Sequence, residues 1–178
     1  MSISADQLIN EASLAKREGR FGQARNALLK AVSLLRQEDT SAALARALRS
    51  LGEVERKLHD TSSAQVHYEE SVAIYRRSGD ALALAHTVRH LGDILHEAGD
   101  AASAKPCYNE ALALYRAHPE ASPLDVANAI RSMAVLKADV GSTEEARQLW
   151  EEARSLYAML NIAEGVRESS ARLARLGP

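Results

Sequence analysis

The chain has 178 residues, enough for one domain with a real core, and 46% hydrophobic content excludes a disordered polymer. A formal net charge of −2 argues against nucleic-acid binding by bulk charge, which needs a basic excess. The single cysteine, Cys107, excludes an intrachain disulfide, and no leader-like segment or run of about 18 apolar residues stands out, so the expectation is a soluble, cytoplasmic protein off the membrane.

Taken in chain order, the pattern predicts helices at 5–18, 21–37, 41–58, 61–78, 81–98, 101–117, 123–140, 143–160 and 162–176. Ser4 and Gln7 form a capping box for the first. Asp60, Asp80 and Asp100 stand as caps before the fourth, fifth and sixth. Pro106 falls inside the sixth, so that helix is expected to start late, near Ser103, or to bend. Ser122 to Asp125, with Pro123 at the first helical position, Ser142 to Glu145, and Asn161 to Glu164 read as further capping boxes. Val, Ile and Thr nowhere alternate as strands require, so the fold class is all-α.

The chain repeats itself. "RSLGEVERKLHDTSSA" (49–64) matches "RHLGDILHEAGDAASA" (89–104) in frame, "RSMAVLKADVGSTEEA" (131–146) more loosely and "NEASLAKREGRFGQA" (10–24) most weakly. Each block ends on an alanine: Ala24, Ala64, Ala104, Ala146. Twelve residues before each stands a small residue: Ala12, Gly52, Gly92, Ala134. A glycine inside a helix costs about 1 kcal/mol relative to alanine. Close approach of a neighbouring helix offsets that cost, and alanine at two of the four sites points to volume as the requirement. Five residues before the alanine, Gly19, Gly99 and Gly141 mark the turn between two helices. His59 stands there in the second repeat, where a left-handed cap is less comfortable. After the alanine come Leu28, Tyr68, Tyr108 and Trp150, then Ala31, Ser71, Ala111 and Ala153, then Leu35, Tyr75, Tyr115 and Tyr157. Steps of four, three and four residues keep one helix face, so these side chains are core.

Leu51-Gly52 with Ala64, Tyr68 and Ser71, Leu91-Gly92 with Gly99, Ala104, Tyr108 and Ala111, and Met133-Ala134 with Gly141, Ala146, Trp150 and Ala153 resemble the tetratricopeptide repeat (TPR). The period here is about 40 rather than the usual 34 or so, as in the longer-helix bacterial tandem repeats. The resemblance implies one domain over 1–178: a right-handed α-solenoid of four helix hairpins, at about 5–38, 41–78, 81–118 and 123–160, closed by a capping helix at 162–176. Stacked pairs bury what one pair cannot. In the cap, Leu173 should face inward, with Glu164, Glu168 and Arg172 largely solvated.

The resemblance also implies that the first helices line a concave groove that binds peptides or protein segments. Its candidate residues are then Arg46, Arg49, Glu53, Arg56, His86, Arg89, Asp93, His96, Asn128 and Arg131, with Ile9 and Val135 as apolar members. Arg49, Arg89 and Arg131 occupy one register position in three repeats, and arginine forks bind carboxylates in bidentate fashion. One reading is a groove for an acidic or C-terminal-carboxylate peptide. The other is a solvated face on which Arg49 pairs with Glu53 and Arg89 with Asp93. The family's carboxylate clamp carries Asn one residue after the small position. Glu53 and Asp93 stand there, where they repel a carboxylate or meet a basic side chain on a mixed-charge peptide.

His86 and His90, one turn apart, could chelate a metal, though without the Glu of a zinc hydrolase motif; a pH response through His86 and His96 is the milder reading. Cys107 precedes Tyr108 on a packed helix and reads as an inert thiol. No nucleophile arrangement or phosphate-binding glycine loop appears. The expectation is therefore a non-enzymatic interaction scaffold or adaptor without a cofactor. Its partner is a protein or peptide of acidic or mixed charge, not nucleic acid or membrane. A self-associating assembly element, a homo-oligomer through the N-terminal pair, is the alternative; a His-based metal protein ranks below both.

Overall fold

Ser4 starts the first helix by accepting a hydrogen bond from the Gln7 amide at 3.2 Å, while the Gln7 side chain accepts from the Ser4 amide at 2.9 Å. This reciprocal bonding satisfies two amides that a helix start otherwise leaves unpaired. The computed structural model describes residues 3–37 and 41–177. Among these the helices are α1 (Ala5–Arg17), α2 (Phe21–Gln37), α3 (Ser41–Lys57), α4 (Thr61–Ser78), α5 (Ala81–Glu97), α6 (Ala101–Ala117), α7 (Pro123–Asp139), α8 (Thr143–Met159) and α9 (Ala163–Arg175). Each end lies within one residue of its predicted position. Residue 38, the expected end of the first repeat, lies outside the described residues.

The chain divides into two compact units, Met1–Thr87 and Val88–Pro178, and the division falls inside α5. In the first unit α1 packs on α2, α2 on α3 and α3 on α4. In the second, α6 packs on α7, α7 on α8 and α8 on α9.

The repeated register is the core of both units. The phased alanines Ala24, Ala64, Ala104 and Ala146 are fully buried, as are Leu28, Tyr68, Tyr108 and Trp150 one turn on. Tyr75, Tyr115 and Tyr157 are buried as well, so the aromatic lattice is core, as its spacing predicts. Gly52 sits under the Tyr68 ring and Gly92 under the Tyr108 ring. A Cβ added at Gly92 would lie 2.7 Å from Tyr108 Cε1, and one at Gly52 2.9 Å from Tyr68 Cε2. Small volume is therefore what the chain gains at these helix-interior glycines. Ala134, by contrast, shares a buried cluster with Ala146 and Trp150.

The turns inside the hairpins share one geometry. A residue with positive φ follows the first helix: Gly19 (73°), His59 (60°), Gly99 (84°) and Gly141 (79°). The next amide then reaches back to the last turn of the helix, as in Asp60 N–H to Glu55 O (2.9 Å) and Asp100 N–H to Leu95 O (2.9 Å). His59 adopts the left-handed conformation without being glycine.

Some helix starts differ from expectation. Asp60, Asp80 and Asp100 cap as predicted, accepting from the amides of Ser63, Ala83 and Ser103 at 3.2, 3.0 and 3.0 Å. Ser122 and Ser142 make no side-chain capping bond. Asn161 is not a cap: it takes the left-handed position of the turn (φ 57°), which leaves Ile162 at the N-cap of α9. α6 does not start late, because the Asp100 cap fixes its first turn ahead of Pro106.

A buried polar cluster ties the first unit together away from the expected groove positions. Glu55, 1% exposed, holds His67 Nδ1 at 2.7 Å and lies 3.7 Å from Arg25 Nε, while Arg25 also reaches Asp60 at 3.1 Å. One carboxylate thus joins α2, α3 and α4.

Candidate functional site

The candidate residues fall on the first helices of the hairpins, and the two units treat them differently. In the first unit, Glu53 on α3 does not pair with Arg49. Lys16 on α1 takes it instead, at 2.5 Å, and also donates to Ser50 Oγ at 3.1 Å. Lys16 reaches across two neighbouring first helices, whereas Arg49 has to compete from within its own helix. Arg46 is exposed and Arg49 half-buried, and neither forms an ion pair among the described residues. Arg49 Nε is buried and has no hydrogen-bond partner there. Arg56 and His86 are half-buried on α3 and α5.

Beside these arginines lies Tyr75 of α4, which the sequence marks only as core. Its ring is 2% exposed and its hydroxyl oxygen is buried without a partner among the described residues. Burial pushes the Tyr75 phenol above its usual range; Arg49, and more weakly Arg46, pull it down, and Asp80 pushes it up.

The second unit consumes its charges internally. Arg89, only 7% exposed, donates to Asp93 at 3.2 Å, the i,i+4 pair the sequence suggests. Asp93 also accepts from the Tyr108 hydroxyl at 3.0 Å and from Ser132 at 2.9 Å, and His90 Nδ1 lies 3.3 Å away. This carboxylate therefore organises α5, α6 and α7 together. Sequence reasoning missed Tyr108 and Ser132 as its partners; the signal was a core tyrosine whose hydroxyl needs an acceptor.

Arg131 on α7 is held by α9. Its Nε donates to Glu168 Oε2 at 2.7 Å and its terminal NH2 to Oε1 at 2.8 Å. The bidentate carboxylate raises the Arg131 pKa further above its usual value, against the opposing effect of burial. Glu168 is thus engaged rather than largely solvated as expected, and Arg172 lies over the Trp150 ring, 5.8 Å from its centroid. Glu164 is exposed, as predicted, and Leu173 packs against the Trp150 cluster. Asn128 accepts from the buried Tyr157 hydroxyl at 2.8 Å.

A cleft of about 310 Å³ opens between α5 and α7, walled by Asp93, His96, Glu97, Arg131, Ser132 and Asp139. His96 Nε2 sits 3.1 Å from Asp139. Three carboxylates face one arginine already neutralised by Glu168, so this cleft is acidic. Of the candidates, Asp93, His96 and Arg131 meet here, while Arg89 lies in the network behind.

No helix among the described residues is long and apolar enough to cross a membrane. Among curated proteins none matches the sequence. Solved structures do match. BtubC (BKLC) from P. vanneervenii is similar at 18% identity, with a TM-score of 0.81, over 88% of this chain and 64% of that one. A Rap protein complexed with Competence and Sporulation Factor matches at 15% identity and TM-score 0.81, over 97% of this chain and 48% of the other. TPR-like repeats of a Podospora anserina kinesin light chain match at 17% and 0.77, over 98% and 87%. The chain thus spans about half to two thirds of the length of the first two. These likenesses show the fold, an α-solenoid of helix hairpins. The tetratricopeptide repeat model matches residues 7–77 and 64–117, more than half of the sequence. Two overlapping matches over that much of the sequence leave one conclusion: the chain belongs to the tetratricopeptide repeat family.

Proposed function

We propose that this chain is a non-enzymatic, cytoplasmic interaction scaffold or adaptor that takes a peptide or partner segment against the first helices of its hairpins. TPR proteins generally mediate protein–protein interaction, and the structurally similar Rap protein was solved in complex with Competence and Sporulation Factor. The observation that carries the reading is the division of labour within each hairpin. The second helices spend their aromatic residues on the core, whereas the first helices keep charged groups at the surface, with Arg46 exposed and Arg49 and Arg56 partly exposed. A surface of that composition suits an acidic or mixed-charge segment, with arginine as the orienting group.

A photo-crosslinking amino acid at position 56 tests this, with one at Glu69, exposed on α4, as the control. Partner segments from the native cell should crosslink from 56 and not from 69. Equal capture from 69 would overturn the reading.

Self-association is the second reading. It is favoured by Ile3, Leu14 and Leu29, which are 60%, 47% and 42% exposed at the N-terminal hairpin. Light scattering at high concentration decides it: a persistent monomer removes this reading.

A further inference from the structure

Register makes the two units comparable position by position. Arg46, Arg49 and Tyr75 stand six before the small residue, three before it, and eleven after the phased alanine; Asn128, Arg131 and Tyr157 stand at the same places in the last hairpin. In that hairpin the Tyr157 hydroxyl points at the six-before side chain, Asn128, and the three-before arginine is gripped by both oxygens of the Glu168 carboxylate. In the first unit, the Tyr75 hydroxyl is buried without a partner, Arg49 Nε is buried without a partner, and Arg46 forms no ion pair among the described residues. A buried donor left unmade costs far more than a made bond contributes. The last hairpin carries its own carboxylate, and the earlier one presents the same donors with an extra positive charge and no carboxylate on them among the described residues.

We propose that Arg49, Arg46 and the Tyr75 hydroxyl form a subsite for the side-chain carboxylate of a glutamate in the bound partner segment. Arg49 supplies the fork that Arg131 gives Glu168, Arg46 adds charge from the rim, and Tyr75 donates the hydrogen bond from below. The register Arg49–Arg89–Arg131 then contains one receptor for an external acid rather than three, because Asp93 occupies Arg89 and Glu168 occupies Arg131. The source of the glutamate rests on the interaction reading above. The carboxylate chemistry does not, so a free probe tests it separately from any crosslinking result.

The test is NMR titration of the intact chain with arginine Nε–Hε and tyrosine ring labels. The probe is N-acetyl-glutamate N-methylamide; its glutamine counterpart and N-acetylglycine are the controls. Arg49 and Tyr75 signals should shift together and saturably with the glutamate probe, while Arg131 stays still and the glutamine probe does nothing. Tyr75→Phe should weaken the response about tenfold. Glu168→Gln should make Arg131 responsive as well. Circular dichroism checks that each variant keeps its helix content, and Arg49→Lys, which loses the fork but keeps the charge, serves as a second, milder variant that should also weaken the response. An Arg49 signal that ignores the glutamate probe, equal shifts with the glutamine probe, or an Arg131 that stays silent in Glu168→Gln would each overturn the proposal. Stronger binding of N-acetylglycine would overturn the side-chain source.

Discussion

Arg131 and Glu168 lie 37 residues apart and meet in a two-pronged grip, with N–O distances of 2.7 and 2.8 Å. The pair fastens α9 to α7, two helices with α8 between them in sequence. Both side chains are about a third exposed, so solvent discounts the pair. Glu168→Ala should cost about 1 kcal/mol of unfolding free energy. A double-mutant cycle with Arg131→Ala in urea melts should return a coupling of that size, and additive single effects would show that the grip contributes nothing.

Gly92→Ala sets two effects against each other. Alanine improves helix propensity by about 1 kcal/mol. Its Cβ, however, would sit 2.7 Å from Tyr108 Cε1, on a ring 1% exposed and anchored through its hydroxyl to Asp93. Overpacking a fixed ring costs about 1–3 kcal/mol, so the substitution should lower the unfolding free energy by up to about 2 kcal/mol net. Paired with Tyr108→Leu, the same alanine should be tolerated better. Calorimetry of the four proteins would reveal that rescue, and no rescue would place the cost elsewhere than the ring.

His59→Gly should stabilise the protein. His59 holds φ at 60°, and left-handed backbone costs about 1–2 kcal/mol for a side-chain-bearing residue but almost nothing for glycine. The turn keeps its bonds, since they run through the backbone. Part of the gain is returned as unfolded-chain entropy, which leaves about 0.5–1 kcal/mol. Chemical denaturation at fixed pH would measure it; a loss of stability would mean that the imidazole itself holds the turn.

Acid should weaken the chain through its aspartate caps. The side chain and backbone of Ser63 and Ser103 hydrogen-bond Asp60 and Asp100 and hold both carboxyls below the usual aspartate range. A lowered folded-state pKa contributes stability that is present above the unfolded-state pKa and lost as pH falls through the folded one. Thermal midpoints of the wild type should therefore drop as pH falls from about 4 downward. In Asp60→Asn/Asp100→Asn the amide keeps the capping acceptor but loses the charge, and with it the Asp60 pair with Arg25, so the acid slope should flatten because the midpoint at pH 7 falls toward its acid value. An unchanged slope would assign acid sensitivity to other carboxylates.

The sequence carried the core openly because one packing problem recurs every 40 or so residues. Ala64 and Ala104, Tyr68 and Tyr108, and Gly52 and Gly92 report the same contact twice, and repetition separates signal from composition. Polar partnership was far less legible. Glu53 could be read against Arg49 one turn away, yet Lys16 won it from another first helix. Asp93 could be read against Arg89, but Tyr108 and Ser132 were invisible as partners because each arrives from a different helix. One signal was available in hindsight. Lys16–Glu53 and Arg131–Glu168 share a separation of 37, about one period less one helical turn, where complementary charge could have been sought. Tyr75 was hidden for a different reason: a tyrosine at a core register announces its ring and says nothing of its hydroxyl.

The nesting of Gly52 beneath Tyr68, and of Gly92 beneath Tyr108, against the Ala134–Trp150 arrangement, means that the hairpins are not interchangeable halves. Lock and key sit on opposite helices of the same hairpin. Grafting α8 onto α3, or α4 onto α7, would bring together surfaces cut for other mates. Whole hairpins, and not single helices, are therefore the currency in which this chain can be lengthened, shuffled or rebuilt.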